Sequence, residues 1–413
     1  MSMEYGLIGK KLAHSFSPEL HALFGCEKYE LRELSEEELS GFFAARNFIG
    51  INVTAPYKET VLKYLDELSP EAKAIGAVNT VINKGGRLFG YNTDFFGLCA
   101  LIEHAGISLE HRNVLILGTG GTSKTAAAVC AHFGAGSVLK VSRSPQDGKI
   151  SYAEAEKKAD AEIIINTTPS GMFPNNGEIP IDISAMPRLC GVIDAVYNPL
   201  QTGLVLKAKE RGIPAEGGLY MLAAQAARAE ELFSQRSITA AGIDRAYKAL
   251  MQRKQNIVLI GMPSAGKSTV GRAAAEKLGR SFFDSDELAA ALAGKSIAGI
   301  FAQGGETAFR KAEAEAVELL AKQSGAVIAT GGGAVLSPKN MEFLRQNGRI
   351  YYINRPFCEL SAGGGRPLSQ TPEQLLRLFD ERKPLYEKYC DSVISSCASA
   401  EETAAALLED FLK

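Results

Sequence analysis

Two glycine-rich segments constrain this chain more than anything else in it. NVLILGTGGTSKTAAAVC begins at Asn113 and NIVLIGMPSAGKSTVGRAAAE begins at Asn256. In each, a short apolar run reads as a buried parallel strand, the glycines allow a tight turn, and an alanine-rich stretch reads as a helix. Such a turn aims unpaired backbone N–H groups and the positive end of a helix dipole at one point, which suits a phosphate. Two of them imply an α/β chain with two phosphate-binding sheets. The length, 413 residues, allows two to four domains at roughly 100–200 residues each.

The rest of the chain keeps the same alternation. YGLIG (5–9), KYELREL (28–34) and FIGINVT (48–54) read as strands, with PELHALF and EEELSGFFAA as amphipathic helices between them. VNTVINKGGRLFGYNT reads as a hairpin turned at Gly85-Gly86. Helices follow from about 218 to 250, and the junction ALMQRKQN is short and polar with no Gly/Ser-rich spacer.

Composition removes several functions. Net charge is −2 and the pI about 6.3, so neither nucleic acid nor an anionic membrane is an expected partner. No apolar run approaches the ~18–20 residues of a spanning helix, and MSMEYGLIGK does not have the shape of a secretory leader. The seven cysteines form no C-x-x-C pair, which fits reduced thiols in a cytoplasmic protein. All five histidines precede residue 133, so proton transfer beyond that point must use other side chains. Oligomeric state is not legible.

The first glycine-rich turn, with Gly118, Gly120 and Gly121, fits a dinucleotide pyrophosphate. The following strand ends in Ser142-Arg143-Ser144, where an NAD site would place an acid for the ribose 2′-hydroxyl. A cation and two hydroxyls there favour the 2′-phosphate of NADP(H).

Three further constellations precede it: His14-Ser15-Phe16-Ser17-Pro18 before a helix, Asn52-Val53-Thr54-Ala55-Pro56-Tyr57-Lys58 ending a strand and opening a helix with Lys58, and Tyr91-Asn92-Thr93-Asp94 opening another with Asp94. Taken alone, the first is no more than a helix cap. Taken in order with GAVNT, GTGGTSKTA, SRS, NTTPSGM, DAVYNPLQTGL and GGLYMLAAQ, they closely resemble the shikimate dehydrogenase family over about 230 residues. The resemblance implies a substrate pocket of Ser15, Ser17, Thr54, Lys58, Asn79, Asp94, Tyr197 and Gln225, and a nicotinamide side of Asn166, Thr167, Thr168, Met172 and Gly218. It implies reduction of 3-dehydroshikimate by NADPH, with Lys58 as the acid and Asp94 holding it. Here the turn reads GTGGTSKT where the family more often has GAGGAARA, and SRS replaces NRT.

The second turn matches G-x-x-x-x-G-K-[ST] in full, from Gly261 through Gly266 and Lys267 to Ser268, with Thr269 next. Its backbone would cradle ATP, Lys267 would reach the β/γ oxygens and Ser268 would ligate Mg²⁺. The remainder resembles the shikimate kinases: Asp284-Ser285-Asp286, Arg310 and Glu313 in GGETAFRKAE, Gly331-Gly332-Gly333, Arg366 in GGGRPLS, and Arg382 in DERKPLY. By that resemblance Arg310 and Arg382 clamp the shikimate carboxylate, Asp286 takes the hydroxyl proton, Asp284 holds Mg²⁺ through water and Arg366 neutralises the moving phosphoryl group. The segment 357–370 is short and glycine-rich and lacks the second arginine before Arg366 that many relatives have.

The expected organisation is therefore a substrate-binding and catalytic domain over 1–108, completed by the helices at about 218–250, then a Rossmann NADP domain over 109–217 and a P-loop kinase domain over 251–413. Two alternatives stay open: a quinate/shikimate dehydrogenase fused to the kinase, and a catalytically silent regulator that senses the metabolite. The retained Lys58, Asp94, Lys267, Ser268, Asp284 and Asp286 argue against the second.

Overall fold

The structure is a computed structural model that describes residues 3–12, 15–363 and 368–413. The chain divides into two compact units, Met1–Leu250 and Met251–Lys413. None of the described helices is long and apolar enough to cross a membrane.

The first unit carries two sheets. Strands β1 (Tyr5–Gly9), β2 (Tyr29–Glu33), β3 (Gly50–Val53), β4 (Glu67–Leu68), β5 (Thr80–Lys84) and β6 (Arg87–Tyr91) form a mixed sheet in the order β2-β1-β3-β5-β6-β4. β1, β2 and β3 run parallel, whereas β5 pairs antiparallel with both β3 and β6. The β5–β6 turn is the two-residue hairpin expected, with φ +60° at Gly85 and +84° at Gly86, the positive values such a turn requires. Its core includes Ile8, Leu39, Phe43, Ile51, Val53 and Val81.

The second sheet is wholly parallel: β7 (Asn113–Leu117), β8 (Ser137–Val141), β9 (Ile163–Asn166), β10 (Gly191–Asp194) and β11 (Ala215–Glu216), ordered β11-β10-β9-β7-β8. The order reverses at β7, which opens a crevice at the carboxyl ends of β7 and β9 where ligands bind in such sheets. Helix Thr93–His104 returns from the first sheet and packs on helix Leu219–Ser234. Their backbones meet at Gly97, where an added Cβ would lie 2.7 Å from the Met221 carbonyl oxygen.

The second unit holds β12 (Asn256–Ile260), β13 (Phe282–Asp284), β14 (Val327–Ala329), β15 (Gly348–Asn354) and β16 (Ser392–Ser395), all parallel and ordered β13-β14-β12-β15-β16. The central β12 is fully buried, as its unbroken apolar run requires. The carboxyl ends of β12, β13, β14 and β15 lead respectively into the P-loop, Asp286, the glycine triplet and Arg355.

Two local expectations are corrected. Lys58 does not open an α-helix: it lies in a run of turns that ends in a 3₁₀ segment, Thr60–Tyr64. Neither serine of the HSFSP segment takes the cap position, although Ser15 Oγ accepts from the N–H of Ser17, the first residue of the helix, at 3.3 Å. Helix Ser17–Leu23 has Phe16 at its cap position with no side-chain capping bond, which leaves the serine hydroxyls bonded to one another. His14 lies outside the described residues.

Candidate active sites

In the first unit Lys58 is held from both sides. Tyr57, buried, donates its hydroxyl to the Leu34 carbonyl at 2.7 Å, and the Val78 N–H donates to the Lys58 carbonyl at 2.8 Å. Its Nζ then reaches Asp94 Oδ2 at 2.6 Å, and both side chains are largely out of water. Asp94 sits in the first turn of helix Thr93–His104, whose N-terminus Asn92 caps by accepting from the Phe95 N–H at 3.1 Å. Asn79 holds the other carboxylate oxygen: its Nδ2 donates to Asp94 Oδ1 at 2.9 Å and to Thr93 Oγ1 at 3.0 Å, with Gln225 Oε1 at 3.4 Å. Lys58, Asn79, Asp94 and Gln225 thus form one hydrogen-bonded cluster.

Ser15 and Ser17 form a second group. Their hydroxyls are 3.1 Å apart, and Phe16 between them packs on the Tyr197 ring at 5.3 Å. Thr54 follows β3 beside Gly9 of β1, where an added Cβ would lie 2.6 Å from Thr54 Cγ2. His21 is fully buried and paired with Glu230 Oε2 at 3.1 Å; burial lowers its pKa, so it is a neutral tie between helices Ser17–Leu23 and Leu219–Ser234.

At the second sheet, Gly118 has φ +105° and an added Cβ would lie 2.9 Å from Thr167 Oγ1, so the turn needs glycine on both counts. Gly120 caps helix Gly121–His132, and a Cβ on Gly121 would stand 3.7 Å from the Lys58 side chain. The dinucleotide turn therefore abuts the lysine cluster. Ser142 Oγ closes a tight loop by accepting from the Ser144 N–H at 3.1 Å, which leaves Arg143 exposed at the end of β8. Met172 is exposed, and Gly218 packs so closely on Ala195 that no side chain would fit.

Asp194 is a residue that sequence reasoning missed. Fully buried at the end of β10, it accepts from Asn166 Nδ2 at 2.9 Å, the Val196 N–H at 2.9 Å and Thr202 Oγ1 at 2.7 Å. Burial pushes its carboxyl up to about 7, opposed by those three donors. Asn166 in turn accepts from the Thr168 hydroxyl at 2.7 Å. One carboxylate thus fixes both the NTTPSGM loop and the segment bearing Tyr197. Its signal in the sequence is an acid ending one strand opposite an asparagine ending the next.

In the second unit a cavity of about 660 Å³ joins the P-loop to the other expected residues. Lys267 Nζ donates to the carbonyls of Gly261 and Met262 at 2.9 Å each. Ser268 donates to Asp284 Oδ2 at 2.6 Å, and Asp284 Oδ1 accepts from the Asp286 N–H at 2.9 Å. Gly266 has φ +88° and Thr269 lines the same cavity. The glycine triplet is explained position by position. A Cβ on Gly331 would strike Asp286 Oδ1 and lie 3.0 Å from Glu313 Oε1; one on Gly332 would meet Pro263 at 2.8 Å; one on Gly333 would overlap the Arg310 guanidinium. Arg310 pairs with Glu313 at 2.8 Å and Glu306 at 2.9 Å.

The buried polar atoms in this cavity that have no hydrogen-bond partner among the described residues include Asp286 Oδ1, Glu313 Oε1 and Arg382 Nε. Each such atom costs about 1–3 kcal/mol left unmet, and a ligand with hydroxyls and a carboxylate would meet them. Burial, then the neighbouring Asp284 charge, raises the Asp286 pKa. Burial also raises that of Glu313, opposed by Arg310. Arg366 lies outside the described residues. Among those described, no group of three or more His, Cys, Asp or Glu could hold a metal. The Ser268–Asp284 pair, two hard oxygens beside a phosphate cradle, nevertheless fits the Mg²⁺ that accompanies ATP.

Both units are similar to known proteins. The model of the shikimate dehydrogenase substrate binding domain matches residues 7–81, and that of shikimate kinase matches residues 263–412. A shikimate dehydrogenase (NADP(+)) of Clostridium perfringens is 35% identical over 248 residues, covering 56% of this chain and 92% of the relative. A solved shikimate dehydrogenase of Peptoclostridium difficile is 37% identical with a TM-score of 0.56, covering 60% of this chain and 98% of that one. One from Thermus thermophilus, solved with NADP(H) and shikimate, is 33% identical with a TM-score of 0.54, covering 60% of this chain and 99% of that one. The chain therefore belongs to the shikimate dehydrogenase family, here fused to a C-terminal shikimate kinase domain.

Proposed function

We propose that the first unit reduces 3-dehydroshikimate to shikimate and that the second phosphorylates shikimate to shikimate 3-phosphate. One observation carries the reading of the first pocket: the Lys58–Asp94 pair stands against the turn that would hold a dinucleotide pyrophosphate. NADPH, when bound, supplies the hydride. Lys58 donates the proton that the developing alkoxide needs, Asp94 fixes the ammonium, and Asn79 fixes Asp94. Ser15, Ser17, Thr54, Tyr197 and Gln225 hold the carboxylate and ring hydroxyls. Gly118, Gly120, Gly121 and Gly218 let the cofactor approach, with Thr167 and Met172 beside the nicotinamide.

MgATP, when bound in the second unit, supplies the phosphoryl group; Ser268 and Asp284 would hold its metal. Arg310 and Arg382 bind the shikimate carboxylate through paired N–H···O bonds. Asp286 accepts the proton of the attacking hydroxyl, and Glu313 anchors Arg310 while its free oxygen meets a ring hydroxyl. Arg366 neutralises charge on the transferring group. The free cysteines support a reducing compartment, and we place the protein in the cytoplasm.

Purified protein tests this directly. NADPH is consumed on adding 3-dehydroshikimate, and MgATP then releases ADP in step with the shikimate formed. Failure of either step removes the corresponding half of the reading.

Cofactor choice rests on Arg143. A charge-assisted hydrogen bond is worth about 1.5–3 kcal/mol, so Arg143→Ala raises KM for NADPH about tenfold to a hundredfold and leaves KM for NADH unchanged. Equal effects on both cofactors would assign Arg143 no part in reading the 2′-phosphate.

A further inference from the structure

β15 lies beside the P-loop strand in parallel register, with Tyr352 opposite Ile260. The residues just past β15 therefore flank the phosphate cradle. Contact is close: a Cβ on Gly261 would meet the Ile353 carbonyl at 2.7 Å and the Tyr352 ring at 3.4 Å. A few residues on, the Ser361 N–H donates to Ser264 Oγ at 3.0 Å, so the chain returns onto the P-loop crown. Arg355 stands at the start of this excursion and lines the cavity with Ser264, Lys267 and Ser268.

Its present bonding does not account for it. Nε lies 3.3 Å from Glu359 Oε2 but is not aligned for a hydrogen bond, and it has no other partner among the described residues. Both side chains are well exposed, 38% for Arg355 and 49% for Glu359, so the pair stabilises little. Two other arginines of the cavity serve a different end of it in the proposed function. Arg310 lies at Gly333 and pairs with Glu306 and Glu313, and Arg382 belongs to the ring-acid end of the proposed pocket. Between Phe357 and Gly365 the sequence has no lysine or arginine. Beside the Mg²⁺ that Ser268 and Asp284 would hold, Lys267 alone among the described residues so far assigned to the triphosphate is a cation, which leaves part of the phosphate charge unmatched. A guanidinium offers it a planar fork of donors, and mounting that fork on a strand end reduces the ordering entropy lost on binding.

We propose that Arg355 is a phosphate ligand of the kinase site, a rigid cation that takes the place of an arginine missing from the loop that follows. This rests on the ATP-dependent reading of the second unit. It predicts a penalty that grows with the number of phosphates rather than one shared by every adenine ligand.

Calorimetric titration of the full chain with ATP, ADP and adenosine, for the wild type, Arg355→Met and Arg355→Lys, tests it. Arg355→Met weakens ATP about tenfold to a hundredfold, the range of one charge-assisted hydrogen bond. ADP is weakened less, and adenosine and shikimate bind as before. Arg355→Lys recovers part of the ATP loss. Equal weakening of all three adenine ligands would overturn the proposal in favour of base stacking or a structural role, and unchanged ATP affinity would overturn it outright. Wild-type protein that fails to bind ATP would instead remove the kinase reading on which it stands.

Discussion

Lys58→Ala lowers dehydrogenase kcat by about 10²–10⁴, the usual contribution of a positioned general acid, and leaves kinase turnover at the wild-type rate. The loss has two sources. The variant lacks the proton donor, and it strands Asp94, a carboxylate with a side chain only 8% exposed whose one cationic partner among the described residues is Lys58 Nζ at 2.6 Å. A bare negative charge then faces the oxygen on which negative charge develops. Removing that charge as well, in Lys58→Ala/Asp94→Asn, recovers part of the rate, so the two substitutions are not additive. Lys58→Arg keeps the charge but, always protonated, gives up no proton and recovers little. Steady-state NADPH oxidation measures all three, with ADP release on the same preparations reporting the other unit. A wild-type rate in Lys58→Ala would exclude Lys58 from the proton transfer. Loss of both activities together would mean that the substitution damages the chain and not one reaction.

The strands and both phosphate turns were legible because each is written in local chemistry: an apolar run bounded by glycines specifies its own conformation. YGLIG at 5–9 is β1 residue for residue, and the hairpin at Gly85-Gly86 has the turn its two glycines require. The turn around Lys58 was not legible. A lysine after Pro56 resembles a helix opening, yet its backbone is set by Val78 and by the buried Tyr57 hydroxyl on Leu34, partners far away in sequence. Asp194 was missed for the same reason. Its importance lies in joining two donors from its own segment, Val196 and Thr202, to a remote one, and only the register of β9 with β10 brings Asn166 opposite it. The glycine triplet could be recognised as a motif, but its cause could not: each missing Cβ makes room for a different group, from Asp286, Pro263 and Arg310. Sequence shows which residue types are present at strand ends. Which of them face one cavity depends on strand order, which local patterning does not encode. Arg355 follows that rule, since it matters only because β15 lies next to β12.

Asp286→Asn separates catalysis from stability in the second unit, because the two move in opposite directions. Asparagine keeps the shape of the side chain but accepts no proton, so kinase kcat falls by about 10²–10⁴. Burial and the Asp284 charge raise the Asp286 pKa in the folded protein. A raised pKa makes the carboxylate a stronger base for the substrate hydroxyl. It also means that the wild-type rate declines with acidification above the ordinary carboxylate range, as Asp286 takes up its proton; in the variant that acid limb disappears. Stability follows from the same shift. The stabilisation from a carboxyl whose folded pKa is raised is complete below its unfolded value and is lost as pH rises through the folded one. Above that folded pKa the wild type therefore carries a buried charge that Lys267 and Arg310 offset only in part, with one oxygen, Oδ1, unmet among the described residues. The neutral asparagine removes that charge, so the melting transition of the second unit rises while turnover collapses, as expected where a site is strained for function. Melting curves and ADP-release rates taken across the same pH series decide the matter. A variant that melts lower than the wild type at neutral pH would show that Asp286 is held by its surroundings as a structural ion, and the assignment of this residue as the proton acceptor would lose its physical basis.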